Sequence, residues 1–305
     1  MDNKTTSQKL KFFGLGKLVP YVSRYKYTFF SMVIASLLMG VINSVIALFQ
    51  SYAIDNFIAG NTLDGFTPFI LAYVAFIVFM TFTGYIGDRS CCKLEMVLLR
   101  DMRTTAFNHL QTLSVAYFNI NSVGKIHARV MSDTASISSI LAWDVKDGVY
   151  SLIYSVVAII TMFVLNPLLA LCVAVIVPVV AVISVYFQRK LTRLNRRVRE
   201  INSEIVGDFN EGITGVATSK TLAVEDKLDN DFFKRSEVMR VKSNKLGHYR
   251  SLFISIITFS ASVALALVLW YGGVITAEGV ILIGTLSVFM QYAQGLMEPV
   301  QWFVE

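Results

Sequence analysis

The sequence predicts an all-α membrane protein in which six transmembrane helices extend into long cytoplasmic helices. Three observations predict it. Six apolar segments, at about 28–52, 66–88, 148–165, 168–188, 251–272 and 280–303, each have the length that a ~30 Å hydrocarbon core demands of a helix. All 27 Lys and Arg residues lie in the N-terminus and in two connections, about 89–147 and 189–250, while the connections 53–65, 166–167 and 273–279 have none. By the positive-inside rule both termini and both long connections are then cytoplasmic. Finally, the long connections carry apolar residues at helical rather than loop-like spacing.

Residues 1–27 form a cytoplasmic N-terminus. Its segment from Leu18 to Tyr27 mixes Tyr, Arg and Lys, which suits an interfacial helix on the inner leaflet. The first span lacks a small-residue cleavage site and reads as a retained helix rather than a signal peptide. After the second span, Leu94, Leu98, Met102, Ala106, Leu110 and Leu113 step by three and four, so the helix continues into the cytoplasm. Asn166-Pro167 is a turn-initiating dipeptide between the third and fourth spans. Beyond the fourth, Leu191, Leu194, Val198, Ile201 and Ile205 form an apolar seam on a basic helix, and Leu228, Phe232, Met239 and Leu246 keep the pattern on the return. About 22 residues beyond the bilayer reach roughly 33 Å, and breaks in periodicity place the two reversals near 114–126 and 208–219. A stalk of that length suits delivery of force or signal to the membrane, as well as mutual packing of its helices.

Composition agrees with a membrane protein. The chain is 55% apolar and only 16% charged, below the ~25% of soluble domains. Its net charge of +6 is accounted for by topology and anionic headgroups rather than by nucleic acid. Cys91, Cys92 and Cys172 have neither the number nor the spacing of a disulfide framework or a metal site. Nothing resembles a nucleophile constellation, a metal cluster or a dinucleotide loop, so no catalytic site is expected.

No span carries an ionisable side chain at its centre, which argues against a proton- or sodium-driven carrier. The spans carry neutral polar stripes instead. Ser287, Gln291, Gln294 and Glu298 share one face of the sixth, while Ser36, Gly40, Asn43, Ala47 and Gln50 share one of the first. Ser251, Ser255, Thr258 and Ser262 do so in the fifth. Small and hydroxylated stripes commonly pack helices closely in lipid, whereas a mid-membrane amide needs polar partners. Asn43, Gln50, Ser287, Gln291, Gln294 and Glu298 are therefore the candidate cavity residues, with Phe289 and Tyr292 as stacking candidates beside them.

At the reversals the chain resembles the six-helix, type-1 transmembrane domain of ATP-binding-cassette exporters. Ser114 through Asn119, containing Tyr117-Phe118, followed by Gly124 and by Arg129 through Asp133, is similar to the family's first coupling segment. Glu211-Gly212-Ile213-Thr214-Gly215-Val216 through Lys220 is similar to the second. Asn166-Pro167 with Pro178 resembles the turn between its third and fourth helices. Tyr271-Gly272-Gly273, Glu278-Gly279 and Glu298-Pro299 resemble its sixth-helix region.

The resemblance implies a single domain over 28–305, pairing with a second transmembrane half in a homodimer or heterodimer. It also implies nucleotide-binding domains that bind ATP and Mg, and efflux of an amphipathic or lipophilic substrate by alternating access. Bacterial plasma membrane is the expected location. Tyr117, Phe118, Asn119, Gly124, Glu211, Gly212, Thr214 and Gly215 are the implied coupling residues. Gly124 and Gly212 are expected to permit turning, and Arg129 and Asp133 to pair. Two departures stand out. Ala116 occupies a position where relatives often have Pro, and no Walker A loop follows either Gly16-Lys17 or Gly124-Lys125. The nucleotide-binding domain is thus expected either C-terminal to this stretch in a longer chain, the favoured reading, or in a separate polypeptide. The alternatives are an ATP-independent six-helix carrier or channel, and a receptor or scaffold whose stalk only transmits signal.

Overall fold

The computed structural model describes residues 16–297 and 299, and every element among them is helical. The helices are α1 (Val19–Arg24), α2 (Lys26–Ala53), α3 (Phe66–Gln111), α4 (Val115–Ile120), α5 (Val123–His127), α6 (Thr134–Ser139), α7 (Val145–Leu165), α8 (Pro167–Thr214), α9 (Val216–Leu222), α10 (Glu225–Ala277) and α11 (Ile283–Gly295). Wider π-type turns extend α2 through Ile54–Ala59 and join α5, α6 and α7 through Ala128–Asp133 and Ile140–Asp144. Five helical runs are long and apolar enough to cross a membrane: Lys26–Ala59, Phe66–Gln111, Val123–Leu165, Pro167–Thr214 and Glu225–Ala277. The sixth expected span is represented by α11, while Glu298 and residues 300–305 lie outside the described residues.

The long helices are unbroken across the expected membrane boundaries. α3 is 46 residues long, α8 is 48 and α10 is 53, or about 70–80 Å at 1.5 Å per residue. The ends follow from local chemistry. Gly65 takes a left-handed conformation (φ 81°) ahead of α3. Asn166 caps α8, its Oδ1 accepting from the backbone N–H groups of Leu168 and Leu169 at 3.1 Å, with Pro167 at the first helical position. The second reversal lies later than the expected 208–219. α8 stays helical through residues 208–214 and ends at Gly215, whose N–H bonds back to the Glu211 carbonyl at 2.8 Å, and the turn into α10 is made by Ala223 in the left-handed region (φ 50°).

Two compact units, Met1–Ala158 and Ile159–Glu305, divide the chain. In the first, α2 and α3 pack antiparallel around buried Met32, Cys91, Leu94, Leu98 and Ala142. Leu94, Leu98 and Met102 are the buried members of the periodicity that predicted the extension of α3. Three members of the polar stripe of α2, Ser36, Gly40 and Ala47, form a packing seam, while Asn43 is half-buried and Gln50 exposed. Ser36 and Ala47 are buried, and a Cβ on Gly40 would stand 3.0 Å from the Tyr150 carbonyl oxygen. Ser44 Oγ donates to its own helix at the Gly40 carbonyl and reaches the Tyr154 carbonyl at 3.4 Å. In the second unit, α8 and α10 pack around Val180, Phe187, Phe253, Ile257 and Met297. There the stripe of Ser251, Ser255, Thr258 and Ser262 is exposed.

Candidate functional site

Three places gather the residues singled out by the sequence. The first is the reversal between α3 and α5. Ser114 and Ser122 leave helical geometry to start α4 and α5. In α4, Tyr117 and Phe118 pack edge to face, ring centroids 5.6 Å apart. Tyr117 is half-buried while Phe118 stays 43% exposed, and Val115, Ile120 and Val123 around it are exposed as well. Asn119 is exposed; Asn121 donates its side-chain amide to the Tyr117 carbonyl. The apolar surface on this tip is unusual for a chain reversal outside the apolar spans and is of the kind that marks interaction sites.

Two expectations are corrected here. Gly124 lies inside α5 and Gly212 inside α8, both with ordinary helical backbone and open space where a Cβ would be, so neither makes a turn. Arg129 and Asp133 form no ion pair among the described residues. The base precedes the acid, the weaker orientation for a four-residue spacing, and both side chains are exposed to solvent.

The second reversal is the end of α8 together with α9. Glu211, Gly212 and Thr214 occupy the last exposed turn of α8, where the Thr214 hydroxyl donates to the Asn210 carbonyl, and Gly215 ends the helix. The sequence placed the reversal among these residues and missed α9, the short cross-helix that follows. The signal was available at its far side, where Glu225 and Asp226 mark the acidic first turn of α10. Ile213, Val216 and Leu222 are exposed here, so both tips present apolar side chains.

The polar candidates form the third group. In α11 the buried face is Gly284, Val288, Phe289, Tyr292 and Ala293. Phe289 and Tyr292 are fully buried, and Tyr292 is hydrogen-bonded with the Thr161 side chain. They are core residues rather than exposed stacking surfaces, because a helix buries its bulkiest apolar face first. Ser287 and Gln291 are half-buried and Gln294 is exposed, on the other side of α11. Gln50 is exposed near the C-terminal end of α2. Asn43 donates to the Met39 carbonyl and lines a cavity of about 250 Å³ in the first unit. That cavity also receives Asp88, Lys146 and Asp147, a charge cluster at the ends of the second and third spans that the sequence reading did not assemble. Lys146 Nζ is 2.6 Å from Asp88 and 3.8 Å from Asp147.

A further polar tie fixes α1 to the C-terminal extension of α3 beyond its apolar span. The Tyr25 hydroxyl donates to Asp101 Oδ2 at 2.7 Å, and Arg100 bonds both Asp101 Oδ1 and the Tyr25 oxygen at 2.8 Å. The Tyr25 hydroxyl, with Arg100 and Arg24 beside it, holds the Asp101 carboxyl below its ordinary range. The stabilisation from this carboxylate is therefore present at neutral pH and is lost only as pH falls through that lowered value.

Residues 29–300 match the family model of the ABC transporter transmembrane region. The chain belongs to that family. It is 26% identical over 79% of its length to a Bacillus subtilis (strain 168) protein named as a multidrug resistance ABC transporter ATP-binding/permease protein. It is 24% identical over 93% of its length to a Staphylococcus aureus (strain NCTC 8325 / PS 47) protein named as a multidrug export ATP-binding/permease protein. The chain spans 36% and 50% of these two relatives, respectively. With five membrane-length apolar helices and an ABC transporter transmembrane region, it is an integral membrane protein. Among the described residues no group of His, Cys, Asp or Glu is arranged to hold a metal ion.

Proposed function

We propose that this ABC transmembrane domain is the substrate-translocating part of an ATP-driven exporter, with both termini cytoplasmic. In this reading, nucleotide-binding domains that hold ATP and Mg, fused beyond the present stretch or carried by a partner, close beneath the stalk. A second transmembrane half completes the central cavity. The single observation that carries the proposal is the pair of exposed apolar tips at α4 and α9, each at the end of helices that run unbroken from the membrane. A turn that only reversed the chain would gain nothing by exposing Val115, Phe118, Ile120 and Val123 to water. A docking partner would cover them, and the unbroken α3, α8 and α10 would carry its movement into the bilayer.

Tyr117, Phe118, Asn119 and Gly124 would meet the nucleotide-binding domain at the first tip. Glu211, Gly212, Thr214 and Gly215 would do so at the second. Asn43, Gln50, Ser287, Gln291, Gln294 and Glu298 are the proposed lining of the transport path, which would take amphipathic or lipophilic molecules. The printed names of the two relatives, both ATP-binding/permease proteins for multidrug resistance or export, favour the same reading. The test is the double variant Tyr117→Ala, Phe118→Ala in the full-length protein reconstituted into liposomes. ATP hydrolysis should persist while ATP-dependent efflux of a lipophilic dye falls at least tenfold. Efflux that stays coupled to hydrolysis in that variant removes the assignment of α4, and efflux that proceeds without ATP removes the exporter reading.

A further inference from the structure

One exposed face of α8 keeps its spacing while its chemistry changes from apolar to cationic. Pro167 to Phe187 holds no charged residue, and its roughly 21 residues make about 32 Å of helix, the thickness of a hydrocarbon core. Within that run Val175, Val179, Val182 and Tyr186 recur in steps of four, three and four, and all are exposed. The same steps continue to Arg189, Arg193 and Arg196, which are exposed as well. One side of the helix is thus apolar to the end of the run and triply cationic beyond it. The packing against α10 uses another side, where Val180 is buried and the Phe187 ring lies 5.4 Å from that of Phe253. Tyr186, just inside Arg189, is of the type favoured at a membrane–water boundary. Span length and Tyr186 together put the three arginines at the level of the lipid headgroups.

These arginines are not neutralised within the chain. Arg189, Arg193 and Arg196 form no ion pair among the described residues. Their neighbours are engaged: Lys190 lies 5.5 Å from the centre of the Tyr249 ring, and Arg197 is 3.0 Å from Glu200, the first acid beyond the run. Arg189 through Arg199 holds six basic residues and no acid, whereas at the exit of α3 Asp88, Glu95 and Asp101 are interspersed with Arg89, Lys93 and Arg100. Like charges at four- and three-residue spacing repel one another, and a bound anion relieves that repulsion. Together with Gln188 and Thr192 the three arginines line a recess of about 390 Å³. A guanidinium fork matches the oxygens of a phosphate. The apolar stripe leading to the recess decides which phosphate. A free anion has no use for the stripe, while a phospholipid lays its chains along it and brings its phosphate to the arginines. One leaflet of ~15 Å corresponds to about ten residues, the length from Val179 to Gln188. A zwitterionic headgroup would bring a cation of its own to the same place, so a net anionic lipid fits better.

We propose that the stripe and recess of α8 bind one anionic phospholipid of the surrounding bilayer, with Arg189, Arg193 and Arg196 holding its phosphate. The lipid is a resident of this site and not cargo, so the assignment stands independently of the exporter reading.

The experiment places the full-length protein in nanodiscs of equimolar phosphatidylglycerol and phosphatidylcholine with identical chains, and reads the retained lipid by native mass spectrometry. Phosphatidylglycerol should be retained over phosphatidylcholine by at least fivefold, about the effect of one basic residue at an anionic surface. Arg193→Gln with Arg196→Gln should abolish most of that preference. Lys242→Gln with Lys245→Gln removes the same charge from α10 at a matching distance from its apolar span, outside the stripe, and should leave the preference within twofold of the original. Arg193→Lys with Arg196→Lys should keep at least half of it, which separates lost charge from lost folding. Several results overturn the site. One is equal retention of both lipids by the unsubstituted protein, as would follow if a second copy covered the stripe. Another is an equal loss in the α8 and α10 glutamine pairs, which would mean diffuse attraction only. A loss in the lysine pair as large as in the glutamine pair would do the same. Displacement of the lipid by excess inorganic phosphate would make the recess a site for a free anion instead.

Discussion

The stripes of small and hydroxylated residues on α2 and α10 look alike in sequence and end differently in the structure. On α2, Ser36, Gly40, Ser44 and Ala47 are buried, and the missing side chain of Gly40 lets the α7 backbone approach to 3.0 Å of where a Cβ would stand. On α10, Ser251, Ser255, Thr258 and Ser262 are exposed, while the helix buries Phe253, Ile257, Ala264 and Val268 on another face. The hydroxyls themselves do not separate the two cases. Ser36 and Ser44 on α2, like Thr258 and Ser262 on α10, donate to a carbonyl of their own helix four residues back. A hydroxyl satisfied in this way can sit against protein or lipid at little cost. What distinguishes α2 is a glycine at the point of closest approach, together with Ser44, whose Oγ also reaches a carbonyl on the neighbouring helix.

Gly40→Val should be the most damaging substitution in either stripe. A side chain there meets a backbone carbonyl and Ile153, neither of which has a flexible end that can swing away. The expected loss is ~1–3 kcal/mol, read as a lowered unfolding midpoint in mixed micelles. An unchanged midpoint would mean that α7 is free to move off α2 and that the seam is not a tight one. Ser44→Ala removes the bridge to Tyr154 but leaves the seam closed, and should cost ~0.6 kcal/mol, the average for a hydrogen bond between membrane helices. A loss as large as that of Gly40→Val would instead make the polar bridge the dominant contact. Thr258→Val with Ser262→Ala should shift the unfolding of the isolated chain by less than ~0.5 kcal/mol. If the exposed α10 face meets a second transmembrane half, that double variant should still weaken assembly in crosslinking or native mass measurements. A large stability loss in the monomer would show that this face is covered within the chain itself.

The same contrast explains what could be read beforehand. Charge asymmetry and hydropathy are properties of one segment at a time, and they pointed to the apolar segments that lie in α2, α3, α8 and α10; the expected connection 166–167 is reduced to Asn166, because Pro167 already belongs to α8. The extension of α3 was legible because Leu94, Leu98 and Met102 repeat at the spacing that the core uses. Properties of two segments were not legible. Nothing in the stretches around Asp88 and Lys146 says that they meet, because the antiparallel register of α2 on α3 is set by pairs such as Ala35 with Gly87. Nor could α11 disclose that Phe289 and Tyr292 lie inward and Gln294 outward, since polar and aromatic residues alternate along it. At the second reversal a glycine was read as a hinge when the helix passed straight through it: Gly212 has no φ that requires glycine, whereas Ala223, unremarkable in sequence, takes the left-handed turn.

The uninterrupted α10 has a consequence for how the protein senses its surroundings. Its 53 residues form a rod of about 80 Å, of which the hydrocarbon region grips only ~30 Å. When a bilayer thins or thickens, a spanning helix accommodates by tilting. A tilt of about 5° displaces the end of the ~50 Å that project beyond the hydrocarbon by roughly 4 Å. Lipid composition thereby bears on where the α9 tip stands beyond the bilayer, and membranes of different thickness are expected to present the same apolar tip at different positions.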